Sequence, residues 1–351
     1  MTRRNAVPLL AALLFPALLA GCSSAWSLRT AEAPFALQWP YSPSPARLTY
    51  VHALTGLSPS TTVGSTLAAV VYGREKAEAN AFVLPVAVAT WRDGRMAVAD
   101  MGRSAVHLLL QREARYLRLT GPKKEPMRTP VAVAFDDDGR LFVSDSSGGV
   151  YAFGRDGAFL FTIRSAGAVP LRRPTGLAFS PQRKLLYVVD TLAHTIYALD
   201  ARGGLAFAVG GPGDGDGQFN FPTHVAVTPK GELVVADSLN FRIQILDGDG
   251  RFLGAFGHHG DGSGDIAMPK GLAVDGDGVI YVADSLFDVV QLFDREGRFL
   301  LTLGRRGVDF GEFWMPSGVF IGESGELYVC DTYNHRIQVF RIAGKGANAP
   351  R

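Results

Sequence analysis

The fold is decided by a stretch that this chain repeats, written most clearly at residues 221–246 as FPTHVAVTPKGELVVADSLNFRIQIL. It contains an alternating apolar run, a Gly-containing turn, a second run that ends in Asp237, and a third run that ends in Leu246. The aspartate recurs in six copies, at Asp100, Asp145, Asp190, Asp237, Asp284 and Asp331. Subtraction places successive copies 45, 45, 47, 47 and 47 residues apart. Short strands with a period of about 40–50 residues predict a β-propeller with one four-stranded blade per copy.

The two ends of the repeat region predict how the ring closes. The last copy finishes with residues 335–342, HRIQVFRI, and has no fourth strand of its own. Residues 47–54, RLTYVHAL, alternate in the same way as the fourth strands of later copies. We therefore expect this N-terminal strand to complete the last blade, which removes a free sheet edge. The predicted fold is an all-β, six-bladed propeller over residues 46–343, followed by a tail at 344–351.

The N-terminus has the features of an export signal. Arg3 and Arg4 precede an apolar stretch at residues 6–20, which is shorter than the about 20 residues that span a bilayer. Residues 19–22, LAGC, resemble the lipobox of bacterial lipoproteins; the plainer alternative is a secreted protein with a chance cysteine. The resemblance implies a signal peptide at 1–21, a lipid on Cys22 and a Pro-containing tether at 22–45. Ser23 after the cysteine implies an outer-membrane location that faces the periplasm.

Two further segments are interpreted from composition. Residues 57–82 do not fit the repeat, and part of them is compatible with a short helix that packs on the rim or, alternatively, docks a partner. Cys330 lies in an alternating strand and is expected to be a small buried apolar residue. Because Cys22 would carry the lipid and Cys330 is the other cysteine of the chain, no disulfide is expected within the mature chain.

Charge argues against nucleic acid as a partner. The chain has 35 Lys and Arg against 33 Asp and Glu, and removal of residues 1–21 takes away Arg3 and Arg4, leaving 33 against 33. A balanced, exported domain lacks the basic footprint of a nucleic-acid-binding protein.

Several phrases resemble the NHL repeat. They are residues 221–227 (FPTHVAV), 233–237 (LVVAD), 241–246 (FRIQIL), 281–284 (YVAD) and 331–340 (DTYNHRIQVF). The resemblance covers roughly residues 85–343 and is weakest in the first two copies, where Met101 and Ser146 begin phrases that depart from the pattern. It implies a propeller fold, and little about function because one fold serves many functions.

The Gly- and Asp-rich segments are interpreted as connections and turns. Residues 210–217, GGPGDGDG, look like a phosphate cradle but open a strand instead of a helix, and similar segments recur at 257–264 and 304–307. Calcium at Asp214 and Asp216 is a weaker alternative, since further spaced oxygen ligands are missing. We expect each blade-end aspartate to accept backbone N–H bonds or to pair with an arginine five residues later, as in Asp237 with Arg242.

The main enzyme hypothesis comes from NHL-type amidating lyases, whose zinc is held by histidines directly after the inner-strand proline. The equivalent positions here are Val86, Val131, Thr175, Thr223, Lys270 and Ser317. His224 lies one residue later and alone, and a lactonase-like site would need carboxylates on inner strands that are apolar here. An enzyme of the lyase, lactonase or hydrolase kind, with a metal in the central channel near His224, is therefore the alternative. No catalytic residue, metal or cofactor is predicted.

The preferred function is non-catalytic. Connections between blades share one face, where early blades are basic, through residues such as Arg128 and Arg164, and later blades are acidic, at Asp214, Asp216, Asp261 and Asp265. Phe219, Phe221 and Phe313 are expected to be buried between blades and Trp314 to be exposed. The sequence predicts a lipid-anchored envelope scaffold, more plausibly a monomer, that binds a protein, or a glycan or peptide. The candidate contact residues are Arg128, Arg172, Arg173, Trp314 and His224.

Overall fold

The computed structural model describes residues 25–59 and 80–344. The described chain begins with β1 (Trp26–Ala31), β2 (Gln38–Trp39) and β3 (Leu48–Pro59). Blade one contains β4 (Pro85–Thr90), β5 (Arg95–Asp100), β6 (Ala105–Leu110) and β7 (Arg115–Leu119). Blade two contains β8 (Pro130–Phe135), β9 (Leu141–Asp145), β10 (Gly149–Phe153) and β11 (Phe159–Ile163). A small hairpin of β12 (Ser165–Ala166) and β13 (Val169–Pro170) follows.

The remaining four blades repeat the arrangement. Blade three contains β14 (Pro174–Ser180), β15 (Leu185–Asp190), β16 (Thr195–Leu199) and β17 (Leu205–Gly210). Blade four contains β18 (Pro222–Val227), β19 (Leu233–Asp237), β20 (Arg242–Leu246) and β21 (Phe252–Phe256). Blade five contains β22 (Pro269–Val274), β23 (Ile280–Asp284), β24 (Val289–Phe293) and β25 (Phe299–Leu303). Blade six contains β26 (Pro316–Ile321), β27 (Glu326–Asp331), β28 (Arg336–Ile342) and β3.

Short helices occur only as single turns in the described residues. They are the 3-10 helices at Met101–Arg103, Gln111–Glu113, Thr191–Ala193, Ser238–Asn240 and Thr332–Asn334. No helix in this part of the chain is long and apolar enough to cross a membrane.

The ring closes as the sequence predicts. β3 pairs antiparallel with β28, with Leu54 opposite Ile337 and Leu48 opposite Ile342. Inner strand β26 packs beside β4, as each other inner strand packs beside the next. The six-bladed, all-β fold closed by an N-terminal strand is thus confirmed.

Blade six carries two strands that the sequence did not indicate. β1 pairs with the outer edge of β3, and β2 pairs with the beginning of the same strand. The backbone N–H of Trp26 donates to the carbonyl of Ala114 in blade one at 2.6 Å, and the Trp26 ring lies 4.8 Å from that of Tyr116. Part of the segment expected as a tether, residues 26–31 and 38–39, therefore belongs to the sheet.

Some expectations fall outside the described residues. These are the signal peptide, the lipid site at Cys22, most of the tail, and residues 60–79 of the segment expected to be helical. The described ends of that segment lie side by side, because the N–H of Leu57 donates to the carbonyl of Asn80 and the N–H of Phe82 donates to that of Thr55.

The blades divide the surface into two faces. The loop face carries the turns between second and third strands and the connections that lead into each inner strand. The hairpin face, on the opposite side, carries the turns between first and second and between third and fourth strands. Apolar clusters fill the seams between adjacent blades; one of them joins Leu108 of blade one to Leu141 and Tyr151 of blade two. Cys330 is fully buried, and burial raises the pKa of its thiol.

Candidate functional site

The six blade-end aspartates fix the connections on the loop face. Each carboxylate accepts a backbone N–H from the second residue before the inner-strand proline, at N···O distances of 2.5–2.8 Å. The donors are Val83, Arg128, Arg172, Asn220, Ala267 and Trp314. All six aspartates are fully buried, so the recurrent aspartate serves the architecture of the blade, as expected.

This geometry places most of the candidate contact residues on the same face. Arg128, Arg172 and Trp314 occupy equivalent positions in blades two, three and six, and Arg173 follows Arg172 directly. The three arginines are exposed, and Trp314 is 42% exposed. His224 does not join them, because it is the third residue of inner strand β18 and lines the central channel.

Aromatic residues of the connections separate into two groups. Phe219 and Phe313 are fully buried and pack in the seams, while Phe221 is partly buried. The ring of Trp314 instead meets the exposed ring of Tyr333, with centroids 5.7 Å apart. Trp314 and Tyr333 are therefore both presented to solvent by this part of the loop face.

Three basic side chains on the early blades have no acidic partner in the described residues, although Arg164 of blade two pairs with Glu125. Arg128, Arg172 and Arg173 make no ion pair, whereas later blades pair theirs, as Arg305 does with Glu312 at 2.8 Å. Lys270, the second residue of β22, lies close enough to Arg173 to feel its charge. Partial burial, and then the charge of Arg173, lower the pKa of Lys270. The loop-face mouth of the channel thus holds positive charge that no ion pair within the described residues neutralises.

Sequence reasoning missed an apolar arc on the same face. The second residue after each blade-end aspartate is Leu192, Leu239, Leu286 or Tyr333 in blades three to six. Three of them are well exposed, from Tyr333 at 47% to Leu286 at 61%. The equivalents in blades one and two are Gly102 and Ser147. Recurrence at one position in the repeat was the available signal.

The Gly-rich connections are held by side chains of the following blade. In blade four Asn240 donates to the carbonyl of Gly213 at 2.9 Å, and Gln244 accepts from the N–H of Gly217 at 3.1 Å. The segment thus precedes a strand and is braced from within the fold. This agrees with its interpretation as an inter-blade connection.

The central channel contains a cavity of 290 Å³. Its walls are formed by inner-strand residues from all six blades, nearly all of them Ala, Val, Leu, Ile or Phe, and it extends to Trp91 and Glu323 at the hairpin turns. Burial lowers the pKa of His224 to about 4, so its ring is neutral at physiological pH. The apolar inner strands expected from the sequence are present.

Metal-binding chemistry has few candidates in the described residues. His224 and Glu323 are the only His, Cys or carboxylate side chains among the residues that line the cavity. The one cluster of three potential ligands is Asp136, Asp137 and Asp138 in a hairpin turn. Arg140 pairs with Asp136 at 2.6 Å, and Lys184 pairs with Asp137. Asp214 and Asp216 form no such cluster.

Comparisons with known proteins agree with the fold. The model of the NHL repeat family matches residues 219–246 and 313–340, which fall in blades four and six. A search of curated proteins found no match. A gluconolactonase from Xanthomonas campestris superposes with a TM-score of 0.58 at 16% identity, over 74% of this chain and 86% of that one.

Two other solved structures differ in function from the first. Virginiamycin B lyase from Staphylococcus aureus gives a TM-score of 0.54 at 12% identity, over 76% of this chain and 86% of that one. An auxiliary nutrient binding protein from Bacteroides ovatus gives 0.56 at 17% identity, over 74% of this chain and 69% of that one. Enzymes and binding proteins thus share this architecture, and the likeness shows the fold alone. The protein is a six-bladed β-propeller that carries NHL repeats.

Proposed function

We propose that this protein is a lipid-anchored, non-catalytic envelope protein whose loop face binds an acidic, partly apolar segment of a partner protein. The observation that carries the proposal is the combination of unpaired cations, Arg128, Arg172, Arg173 and Lys270, with an exposed apolar arc on the same face. Aromatic and Arg side chains dominate the energetics of protein interfaces, and complementary charge steers the encounter.

The channel gives less support to catalysis. A catalytic zinc site uses about three protein ligands and an open position, and the cavity lining supplies two side chains of the required kinds, His224 and Glu323. His224 has no acid or second histidine beside it among the described residues that would orient it as a general base. Binding is therefore the function that the chemistry of the described residues favours.

Anchoring through Cys22 would place the ring close to the membrane. Trp26 is fixed against blade one, and the four Cα–Cα steps from Cys22 to Trp26 reach at most about 15 Å. Replacement of Cys22 by Ser should abolish labelling with radioactive palmitate and release the protein from the membrane fraction. Unchanged fractionation of this variant would contradict the anchor.

Site-specific photocrosslinking in native cells tests the loop face. A benzoylphenylalanine at Leu286, on the loop face, should give one defined adduct. The same group at Leu253, which is 49% exposed on outer strand β21, should give none and serves as the matched control. Adducts of equal yield at both positions, or at neither, would contradict the proposal.

Charge reversal distinguishes specific binding at the loop face from nonspecific crosslinking. Arg172→Glu combined with Arg173→Glu should reduce the Leu286 adduct about tenfold or more, since each reversal adds repulsion to an acidic partner. Arg202→Glu combined with Lys230→Glu makes the same net change on the hairpin face and should leave the yield unchanged. Identification of the adduct as a glycan or a peptide, instead of a protein, would redirect the assignment of the partner.

A further inference from the structure

The inner strands follow a rule that blade four breaks. The third residue of the inner strand is Ala87, Ala132, Gly176, Gly271 and Gly318 in five blades, and His224 in blade four. A Cβ on Gly271 would lie 2.3 Å from the carbonyl oxygen of Ser317, and one on Gly318 would lie 2.4 Å from that of Val86. Small residues at this level are thus a steric requirement of closely spaced inner strands.

Blade four keeps this close spacing to blade three although it carries a large side chain. A Cβ on Gly176 would lie 2.6 Å from the Cα of His224, so the glycine of blade three makes the room for the strand that carries the histidine. Packing therefore does not call for an imidazole at this position. His224 projects a neutral polar ring into a cavity whose other lining side chains are mostly aliphatic or aromatic.

The imidazole has unused hydrogen-bonding capacity. Within the described chain, the side chain of His224 has no hydrogen-bond or ion-pair partner, although a neutral imidazole carries one N–H donor and one acceptor nitrogen. His224 is partly exposed and lines the cavity, so this hydrogen-bonding capacity faces the channel. A polar group on an occupant of the cavity can therefore bond to the imidazole.

The dimensions and lining of the cavity define the occupant. Its 290 Å³ is about twice the volume of an engineered apolar cavity of about 150 Å³ that binds benzene. Trp91 and Phe135 lie on the lining toward the hairpin face, with ring centroids 5.8 Å apart. We propose that the central channel binds one small, two-ring apolar molecule that enters from the hairpin face and hydrogen-bonds through a single polar group to His224.

This site is independent of the proposed partner surface. The cavity lies on the hairpin-face side of the small third residues of the inner strands, and the partner surface lies on the loop face. A direct test is titration of the purified protein with 2-naphthol and with naphthalene, with the change in Trp91 fluorescence as the readout. Trp91→Phe should remove the signal and so assign it to the cavity. The expected result is saturable one-to-one binding, with 2-naphthol tighter than naphthalene.

Two variants separate the contribution of the cavity's shape to binding from that of the hydrogen bond to His224. Ala226→Leu adds bulk to the lining and should weaken both probes about tenfold or more. His224→Leu keeps a similar volume and should weaken 2-naphthol about fivefold while leaving naphthalene unchanged, as expected for the loss of one hydrogen bond. The Arg172→Glu and Arg173→Glu variant should bind both probes like the unmodified protein.

The proposal fails if neither probe saturates, or if Ala226→Leu binds both as tightly as the unmodified protein. Equal losses for the two probes in His224→Leu would overturn the role of the histidine. Thermal unfolding of each variant confirms that a lost signal reflects the cavity and not a lost fold.

Discussion

All blades share one backbone plan, but the connections that lead into them are held in two ways. Blades four and six use one way, and blades one and two use the other. In all of them the blade-end aspartate accepts backbone N–H bonds ahead of the inner-strand proline. In blade six a network joins this aspartate: Asn334 donates to Gly307, Arg336 to Glu312, and Gln338 to Glu312. Blade four repeats the network with Asn240, Arg242 and Gln244.

Blades one and two replace this network. His107 occupies the position of the glutamine and contacts Tyr116 and Asp100 within its own blade. The connection into blade two, GPKKEPMRTP at residues 121–130, contains three prolines, whereas the connection into blade four is rich in glycine. Glycine leaves more backbone entropy to be lost on folding than proline does. The comparison indicates that the side-chain network serves the glycine-rich connections, while aspartate and proline serve the blade itself.

The strongest test of this distinction removes the aspartate in each class of blade. Asp331→Ala in blade six leaves Arg336, itself 9% exposed, as a buried charge without its partner. We expect a loss of about 4 kcal/mol in the free energy of unfolding. Asp145→Ala in blade two removes only hydrogen bonds from Arg128, Thr129 and Ser147, and about 2 kcal/mol is expected. Urea denaturation measures both, and equal losses would remove the distinction.

A pH series tests the inner strand of blade four against those of the other blades. Burial lowers the pKa of His224 from 6.5 to about 4, so the unfolded chain takes up a proton that the folded chain does not. Stability should fall by up to about 3 kcal/mol as the pH decreases from about 6.5 to about 4. His224→Gly, which restores the small residue of neighbouring blades, should flatten this part of the curve.

Other groups set the background of that experiment. Burial also lowers the pKa of His52, so part of the slope should remain in the variant. Burial raises the pKa of Asp100, but hydrogen bonds from His107, Leu84 and Val83 outweigh it and hold the pKa below 3.8. Its contribution is present above 3.8 and is lost only below that pH, in a separate window. If His224→Gly and the unmodified protein have parallel curves, the histidine does not titrate as described.

Gln338, the glutamine of the blade-six network, allows the stability of one connection to be measured locally. Gln338 accepts from the N–H of Gly311 at 2.8 Å and donates to the carbonyl of Glu312 at 2.6 Å. Gln338→Leu should cost about 2 kcal/mol and speed hydrogen exchange at the Gly311 amide. His107→Leu in blade one should cost about 1 kcal/mol and leave exchange unchanged at residues 80–82, in the described part of the connection into blade one, because its hydrogen bonds go to Tyr116 and Asp100. Faster exchange in both connections would mean that the two blades are held alike.

The same contrast explains what the sequence could predict. The aspartate period and the missing fourth strand determined blade number and closure, because both are local patterns with one topological solution. β1 and β2 were not predicted, because they pair with the outer edge of β3, which has no counterpart in the repeat. His224 was grouped with Arg128 and Trp314 because all follow or precede the inner-strand proline. The structure separates them, since two further residues along β18 lead from the loop face into the channel.

The smallest expected effect concerns a hydroxyl that blade one lacks. The residue after the blade-end aspartate donates to the carbonyl of the next inner-strand proline, from Thr191 to Pro222 at 2.7 Å and from Thr332 to Pro85 at 2.9 Å. Thr332→Val should therefore cost about 1 kcal/mol. Blade one has Met101 at this position.

Met101→Thr would place the missing hydroxyl opposite Pro130. If the seam between blades one and two is spaced like the others, unfolding should require about 0.5 kcal/mol more free energy. Ser104→Ala, which removes the 2.8 Å bond from that side chain to Arg128, should make the gain easier to resolve by weakening the same seam. A loss of stability in Met101→Thr in both backgrounds would show that blade one has adapted its spacing to the thioether, and that the first two blades depart from the later ones in packing as well as in hydrogen bonding.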